Sequence, residues 1–466
     1  MENSANQSKL GTKKIPVLLL TMALPLILSM VVSALYNIVD SMFIGMMPSP
    51  SNEKAITALG YAYPLQMLLV AVAIGTGIGV NSVLSKALGQ GKKEEAAKSC
   101  MMGYLLMMGF FVPFFVIGLL IYFTGFYFSS VTNDAEVIEM GQRYLGLCFI
   151  FSLPQLLQLV SERSLAASGK TNLTMIMQLS GAITNIVLDP IFILVFDMGV
   201  DGAAIATIAG QVVSMVVGFL LNFFCNKEIK LKVKDLKPEI RPILDILKVG
   251  APGILLQAIQ SLQSLVFQFV FMILFSSNPA TQDMLVGVYG VFFKLEYFIF
   301  MAFYGLINSL LPIIAYNYGN GQKKRCKEAM FYGALYGVIL AVIGIVLFES
   351  APEWLLTLFN LDEEWISTGV VLMRITAPTF VLASLCIVST GILEGFGSGI
   401  HPLIVTALRL LIGLFPACLL FGMKLGINGI WWGSYIAESL GLIYGLISCI
   451  VTYKKSFRIF EAGALD

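Results

Sequence analysis

Ile183-Thr184-Asn185-Ile186-Val187-Leu188-Asp189-Pro190-Ile191-Phe192-Ile193-Leu194-Val195-Phe196 sets one carboxylate inside a run that is otherwise apolar but for Thr184 and Asn185. The run belongs to a longer apolar stretch, 172–196, and others like it fall at 15–46, 56–86, 99–127, 138–161, 200–225, 245–277, 285–316, 330–350, 367–396, 402–422 and 428–452. About 20 apolar residues of helix cross the hydrocarbon of a bilayer, where the backbone must satisfy its own hydrogen bonds. These lengths predict an all-α membrane protein of twelve transmembrane helices, some long enough to tilt or kink. A membrane β-barrel would show short alternating segments instead. Composition agrees, with 58% hydrophobic and 12% charged residues, against about 25% charged in soluble domains.

Basic residues cluster in alternate loops. Lys9, Lys13 and Lys14, Lys92 and Lys93, Lys170, the run 227–241, Lys323 to Arg325 and Lys454 to Arg458 fall on one side, which predicts that side and both termini to be cytoplasmic. The chain also repeats itself. Ala23-Leu24-Pro25 matches Gly250-Ala251-Pro252, Gly89-Gln90-Gly91 matches Gly319-Asn320-Gly321, Ser168-Gly169 matches Phe396-Gly397, and Gly199-Val200-Asp201-Gly202 matches Gly426-Ile427-Asn428-Gly429. The offsets stay between 227 and 230 (25 to 252, 89 to 319). Missing such a period would misassign the whole fold. Six spans per half give both halves the same membrane orientation, so the pseudo-two-fold axis runs along the membrane normal with a cavity between two lobes. The N-terminal lobe is read as residues 1–225, a basic cytoplasmic linker as 226–244 and the C-terminal lobe as 245–466.

An ionisable group at mid-helix in a bilayer costs about 2.5–3.5 kcal/mol on insertion scales, so each one is a candidate site. Asp189 lies deep in the fifth span, with Asn185 one turn earlier on the same face. Pro190 cannot donate to the carbonyl of Ile186, which leaves an oxygen free nearby. Asp40 closes the first span's apolar run, with Tyr36 and Asn37 on neighbouring faces, and carboxylates on two helices of one lobe could share a cation. A carboxyl that only pins a neighbouring helix is the alternative for Asp189, and a solvated interfacial carboxylate is the alternative for Asp40. Gln257, Gln260, Gln263 and Gln268 give the seventh span a polar face, read as cavity lining or as packing glue. Lys294, Glu296 and Arg409 form a buried charge network or face substrate, since intramembrane charges pair.

The two-lobe layout, the Ala23-Leu24-Pro25 start, Asp40, Gly89-Gln90-Gly91, Ser168-Gly169-Lys170-Thr171 and Asn185-x-x-x-Asp189-Pro190 together resemble the multidrug and toxic compound extrusion (MATE) family, in particular its bacterial DinF/MepA-like branch. The likeness covers nearly the whole chain. It implies a bacterial cytoplasmic-membrane antiporter that exports organic, mostly cationic compounds by alternating access and works as a monomer. It also implies a coupling-cation site at Asp40, Asn185, Asp189 and Thr207, for H⁺ or Na⁺, and no other cofactor. The acidic residue that NorM-like members carry in the seventh span has no counterpart among the glutamines here.

Other classes fit less well. The basic clusters lack interleaved aromatic platforms, which sets nucleic acid aside. Gly169-Lys170-Thr171 resembles the end of a phosphate-binding loop, but Ser164 stands where its first glycine belongs and no strand precedes it. An ion gradient is then the energy source, worth about 2.3 kcal/mol per charge per 100 mV before any concentration difference. A membrane-embedded transferase would need clustered metal ligands or a catalytic histidine, and the one histidine, His401, sits beside Pro402 in a short turn. A flippase for lipid-linked oligosaccharides calls for a cationic cavity, against which the acidic pair argues. The seven cysteines form no CxxC pair and read as reduced, small apolar residues.

Overall fold

The computed structural model describes residues 9–47, 51–131, 134–230, 239–260, 263–357 and 363–461; the side chains of 33–42 and of a few other helical positions lie outside the described residues. Among these residues the chain is helical, without strands. The first six spans are α1 Ile15–Gly45, α2 Ser51–Gly89, α3 Lys93–Thr124, α4 Ala135–Ile150 with Leu153–Ala167, α5 Thr171–Pro190 and α6 Gly199–Cys225. The second six are α7 Ile240–Gln260 with Gln263–Phe275, α8 Pro279–Gly319, α9 Lys323–Ser350, α10 Glu363–Thr376 with Thr379–Gly395, α11 Ile400–Leu425 and α12 Ile427–Glu461. Ten helices are long and apolar enough to cross a bilayer alone, and the bent pairs α4 and α10 complete twelve.

The repeat read from the sequence is a repeat of structure. α4 bends by 46° next to Pro154 and α10 by 55° at Pro378, the fourth span of each lobe; proline removes a helical donor and forces such kinks. The glycine turns repeat hydrogen bond by hydrogen bond. The amide of Gln90 donates to Lys86, that of Lys92 to Ala87, and in the second lobe Asn320 donates to Tyr316 and Gln322 to Asn317. Gly91 and Gly321 hold φ of +77° and +68°, conformations that a side chain disfavours. Within the lobes, Asn222 on α6 donates to the carbonyl of Ser161 on α4 at 2.9 Å, and Cys449 on α12 approaches the carbonyl of Ser389 on α10 at 3.4 Å.

The fifth spans of both lobes leave α-helical geometry. After Pro190 the chain widens into a π-helix over Ile191–Val195, where the amide of Phe196 reaches back to Ile191 at 2.9 Å. α11 carries a π-helical stretch at Leu408–Leu414, two residues before Pro416. Such insertions redirect side chains and gather at functional sites.

Among the described residues, side-chain hydrogen bonds between the lobes run from mid-bundle to the end that carries the N-terminus and the basic loops. Arg163 donates to Asn308 at 2.7 Å, and Ser82 donates to the backbone carbonyl of Glu394 at 2.9 Å. Nearer that end, Asn317 and Arg325 both donate to the carbonyl of Leu10, and Tyr336 donates to that of Pro16. Glycine makes the seal close. A Cβ on Gly79 would collide with the carbonyl of Ile246 on α7, and one on Gly89 or Gly319 with the backbone of the opposite lobe. Small residues let membrane helices approach to backbone contact, where dispersion replaces the missing hydrophobic drive.

Candidate functional site

The N-terminal lobe holds a cavity of about 140 Å³ between α4, α5 and α6. Its polar lining comes in helical steps: Gln158 and Glu162 from α4, Gln178 and Asn185 from α5, Thr207 and Gln211 from α6. Gly181, Ala182 and Gly210 leave the room; a Cβ on Gly181 would strike the Ser214 hydroxyl.

Asn185 and Asp189 are 3% and 0% exposed, and the Asn185 amide donates to the Asp189 carboxylate at 3.1 Å. The amide is thereby oriented, and its Oδ1 is left without a hydrogen-bond partner among the described residues, as is the Oε1 of Gln178. Buried oxygens of this kind carry a desolvation cost unless a donor or a cation meets them. Thr207, half-buried, faces the same cavity from α6. Three of the four residues that the resemblance assigned to cation coupling therefore meet in one place. The side chain of Asp40, with those of Tyr36 and Asn37, lies outside the described residues; its helix, α1, packs against α5.

Glu162 was left unassigned by the sequence reading, yet it lines this cavity and is 5% exposed. Its carboxylate lies 3.7 Å from the guanidinium of Arg163, which itself reaches across to Asn308 in the other lobe. The i, i+4 spacings Gln158 to Glu162 and Thr207 to Gln211, both inside apolar spans, were the available signal.

In the C-terminal lobe, Arg409 is buried and donates from Nε to Glu438 at 2.6 Å. Glu296 is half-buried, and Arg409 and Glu438 are the charges that act on it. Lys294, two residues along α8, is exposed on another side of the helix. Gln257 and Gln263 are half-buried on α7, and the side chain of Gln260 lies outside the described residues. No group of three or more His, Cys, Asp or Glu that could hold a metal ion occurs among the described residues.

Twelve spans in two similar lobes, a polar cavity walled into one of them and a cleft sealed at one end define a transporter of the alternating-access kind. The MatE family model matches residues 25–191 and again 252–419, once in each lobe, and the chain belongs to this family of membrane transporters. It is similar to the multidrug export protein MepA of Staphylococcus aureus, 25% identical over 440 residues that cover 94% of this chain and 93% of MepA. Among solved structures it resembles an outward-facing multidrug resistance MATE family transporter of the MOP superfamily, with a TM-score of 0.89, 21% identity and coverage of 97% of this chain and 100% of that one. A MOP superfamily transporter from Pyrococcus furiosus, described as having a binding pocket of reversed polarity, superposes with a TM-score of 0.88 at 21% identity, covering 97% and 99% of the two chains.

Proposed function

We propose that this chain is a secondary active exporter that moves organic, mostly cationic compounds out of a bacterial cell in antiport with H⁺ or Na⁺. The observation that carries the reading is the buried Asn185–Asp189 pair beside a polar cavity inside the N-terminal lobe. A carboxylate there is costly unless a positive ion comes and goes, and that exchange is what an antiporter needs. Asp40 on α1 and Thr207 on α6 complete the ion site. Binding or release of the ion changes the charge at the junction of α1 and α5 and biases which face opens. The two lobes, residues 1–225 and 245–466, rock about the linker 226–244 as a monomer, with the sealed basic end in the cytoplasm. The name of the MepA relatives, multidrug export proteins, supports the substrate class.

The test is efflux of a fluorescent organic cation from proteoliposomes under separately imposed proton and Na⁺ gradients. One of the two gradients should drive efflux in the wild type and fail to drive it in Asp189→Asn. Unchanged gradient dependence in Asp189→Asn would overturn this site.

A further inference from the structure

The C-terminal lobe carries a charge cluster that the antiport reading does not use. Two carboxylates, Glu296 on α8 and Glu438 on α12, stand with one guanidinium, Arg409 on the π-helical stretch of α11. Arg409 and Glu438 are 5% and 7% exposed, and their Nε–Oε1 distance is 2.6 Å. The guanidinium also lies over the Phe300 ring, 5.9 Å from its centre. This pair satisfies one oxygen of Glu438. The other, Oε2, is buried and has no hydrogen-bond partner among the described residues, and the buried hydroxyl of Tyr289 on α8 is in the same position.

Charge decides what is missing. Glu438 neutralises Arg409, which leaves the carboxylate of Glu296 in excess within a lobe core built from Phe267, Phe271, Phe292, Phe300 and Trp431. The other titratable groups that act on the cluster are Tyr289 and Tyr304 from α8, Cys386 from α10 and Cys418 from α11, all neutral in ordinary conditions. Lys294 is exposed elsewhere on α8. Two carboxylates that act on one another in apolar surroundings do not both stay ionised against a single cation; they share a proton. A metal ion would need several more oxygens, and the aromatic wall supplies phenols alone.

We propose that Glu296 and Glu438 share one exchangeable proton in the interior of the C-terminal lobe, with Arg409 as the positioning residue that holds Glu438. The proton binds to a carboxylate oxygen as the site neutralises and leaves to water when the cleft presents it to the other face. The site lies deeper in its lobe than the Asn185–Asp189 pair, since Arg409 and Glu438 correspond at the repeat offset of 227 to Ala182 and Gln211. It is separate from Asp189, so the two fail independently.

The experiment is infrared difference spectroscopy of the purified, lipid-reconstituted protein titrated with acid and base, joined to a count of protons taken up. The wild type should show a protonated-carboxyl C=O band that titrates, and the same band should survive in Asp189→Asn. Glu296→Gln should remove it and take up one proton fewer, and Glu296→Asp should shift it without abolishing it. Glu296→Gln is close to isosteric, and the wild-type spectrum is decisive even if a variant misfolds. A wild type with no titrating carboxyl band overturns the proposal. So does a band that Glu296→Gln leaves unchanged, or one lost in Asp189→Asn. If Asp189→Asn keeps its gradient dependence while Glu296→Gln loses its proton, the antiport site falls and this one stands.

Discussion

The two lobes repeat one scaffold and differ in what fills it. In the N-terminal lobe the space between α5 and α6 is a polar cavity, bordered by Ala182 and Gln211. At the corresponding positions of the C-terminal lobe stand Arg409 and Glu438, joined as a buried ion pair. Gly181 and Gly210 keep the first interface thin, whereas Leu408 and Ala437 stand at their places in the second. One lobe thus has room for an exchangeable ion beside Asp189, and the other carries its own cation covalently as an arginine side chain. Duplication kept the kinks, the glycine turns and the interhelical contacts, which are matters of backbone geometry. The buried polar groups diverged, because each needs only its local partner.

Substitutions test that contrast, and the largest effect falls on transport. Asp189→Asn should reduce gradient-driven efflux to the level of protein-free vesicles, with the protein still folded. In the other lobe, Arg409→Ala strands Glu438 without its partner and should cost about 3–5 kcal/mol of stability, read as a fall in the thermal unfolding midpoint in detergent. The double variant Arg409→Met/Glu438→Met should recover most of that loss, because removing both charges leaves no orphan. If Arg409→Ala were silent, the pair would not be the filler described above.

Gly79→Val places side-chain atoms against the backbone of α7. It should push the lobes apart at the basic end and raise the reactivity of a cysteine introduced at Ser82, with folding retained. The smallest effect belongs to Asp134, which caps the first half of α4 by accepting from the amides of Glu136 and Val137. Those N–H groups, that of Val137 above all, hold its carboxyl below the ordinary value. A depressed carboxyl adds stability above its unfolded value and loses it on acidification. The small advantage of wild type over Asp134→Ala in thermal unfolding should therefore vanish as pH falls below about 4.

Much of this was legible in the chain. Apolar length gave the twelve spans, the repeated glycines gave two lobes, and a carboxylate in a greasy run with an asparagine one turn before it marked the N-terminal site. Glu162, Gln178 and Gln211 were not picked out, although each sits at helical spacing from another polar residue. Lipid and protein interior are both apolar, so periodicity inside a span says little about which face meets another helix. Polar residues were the better guide, but only where a partner lay within one turn, as Asn185 does for Asp189.

What the sequence determined by itself is what neighbouring residues enforce: helices that must cross a bilayer, kinks at proline, turns at glycine and the energetic cost of Asp189 in its span. Tertiary structure alone decided that Arg409 meets Glu438, that Glu162 shares a cavity with Asn185, and that the lobes close at the basic end. These are meetings between helices distant along the chain. The free energy of a buried charge depends on which groups packing brings to within a few ångströms of it.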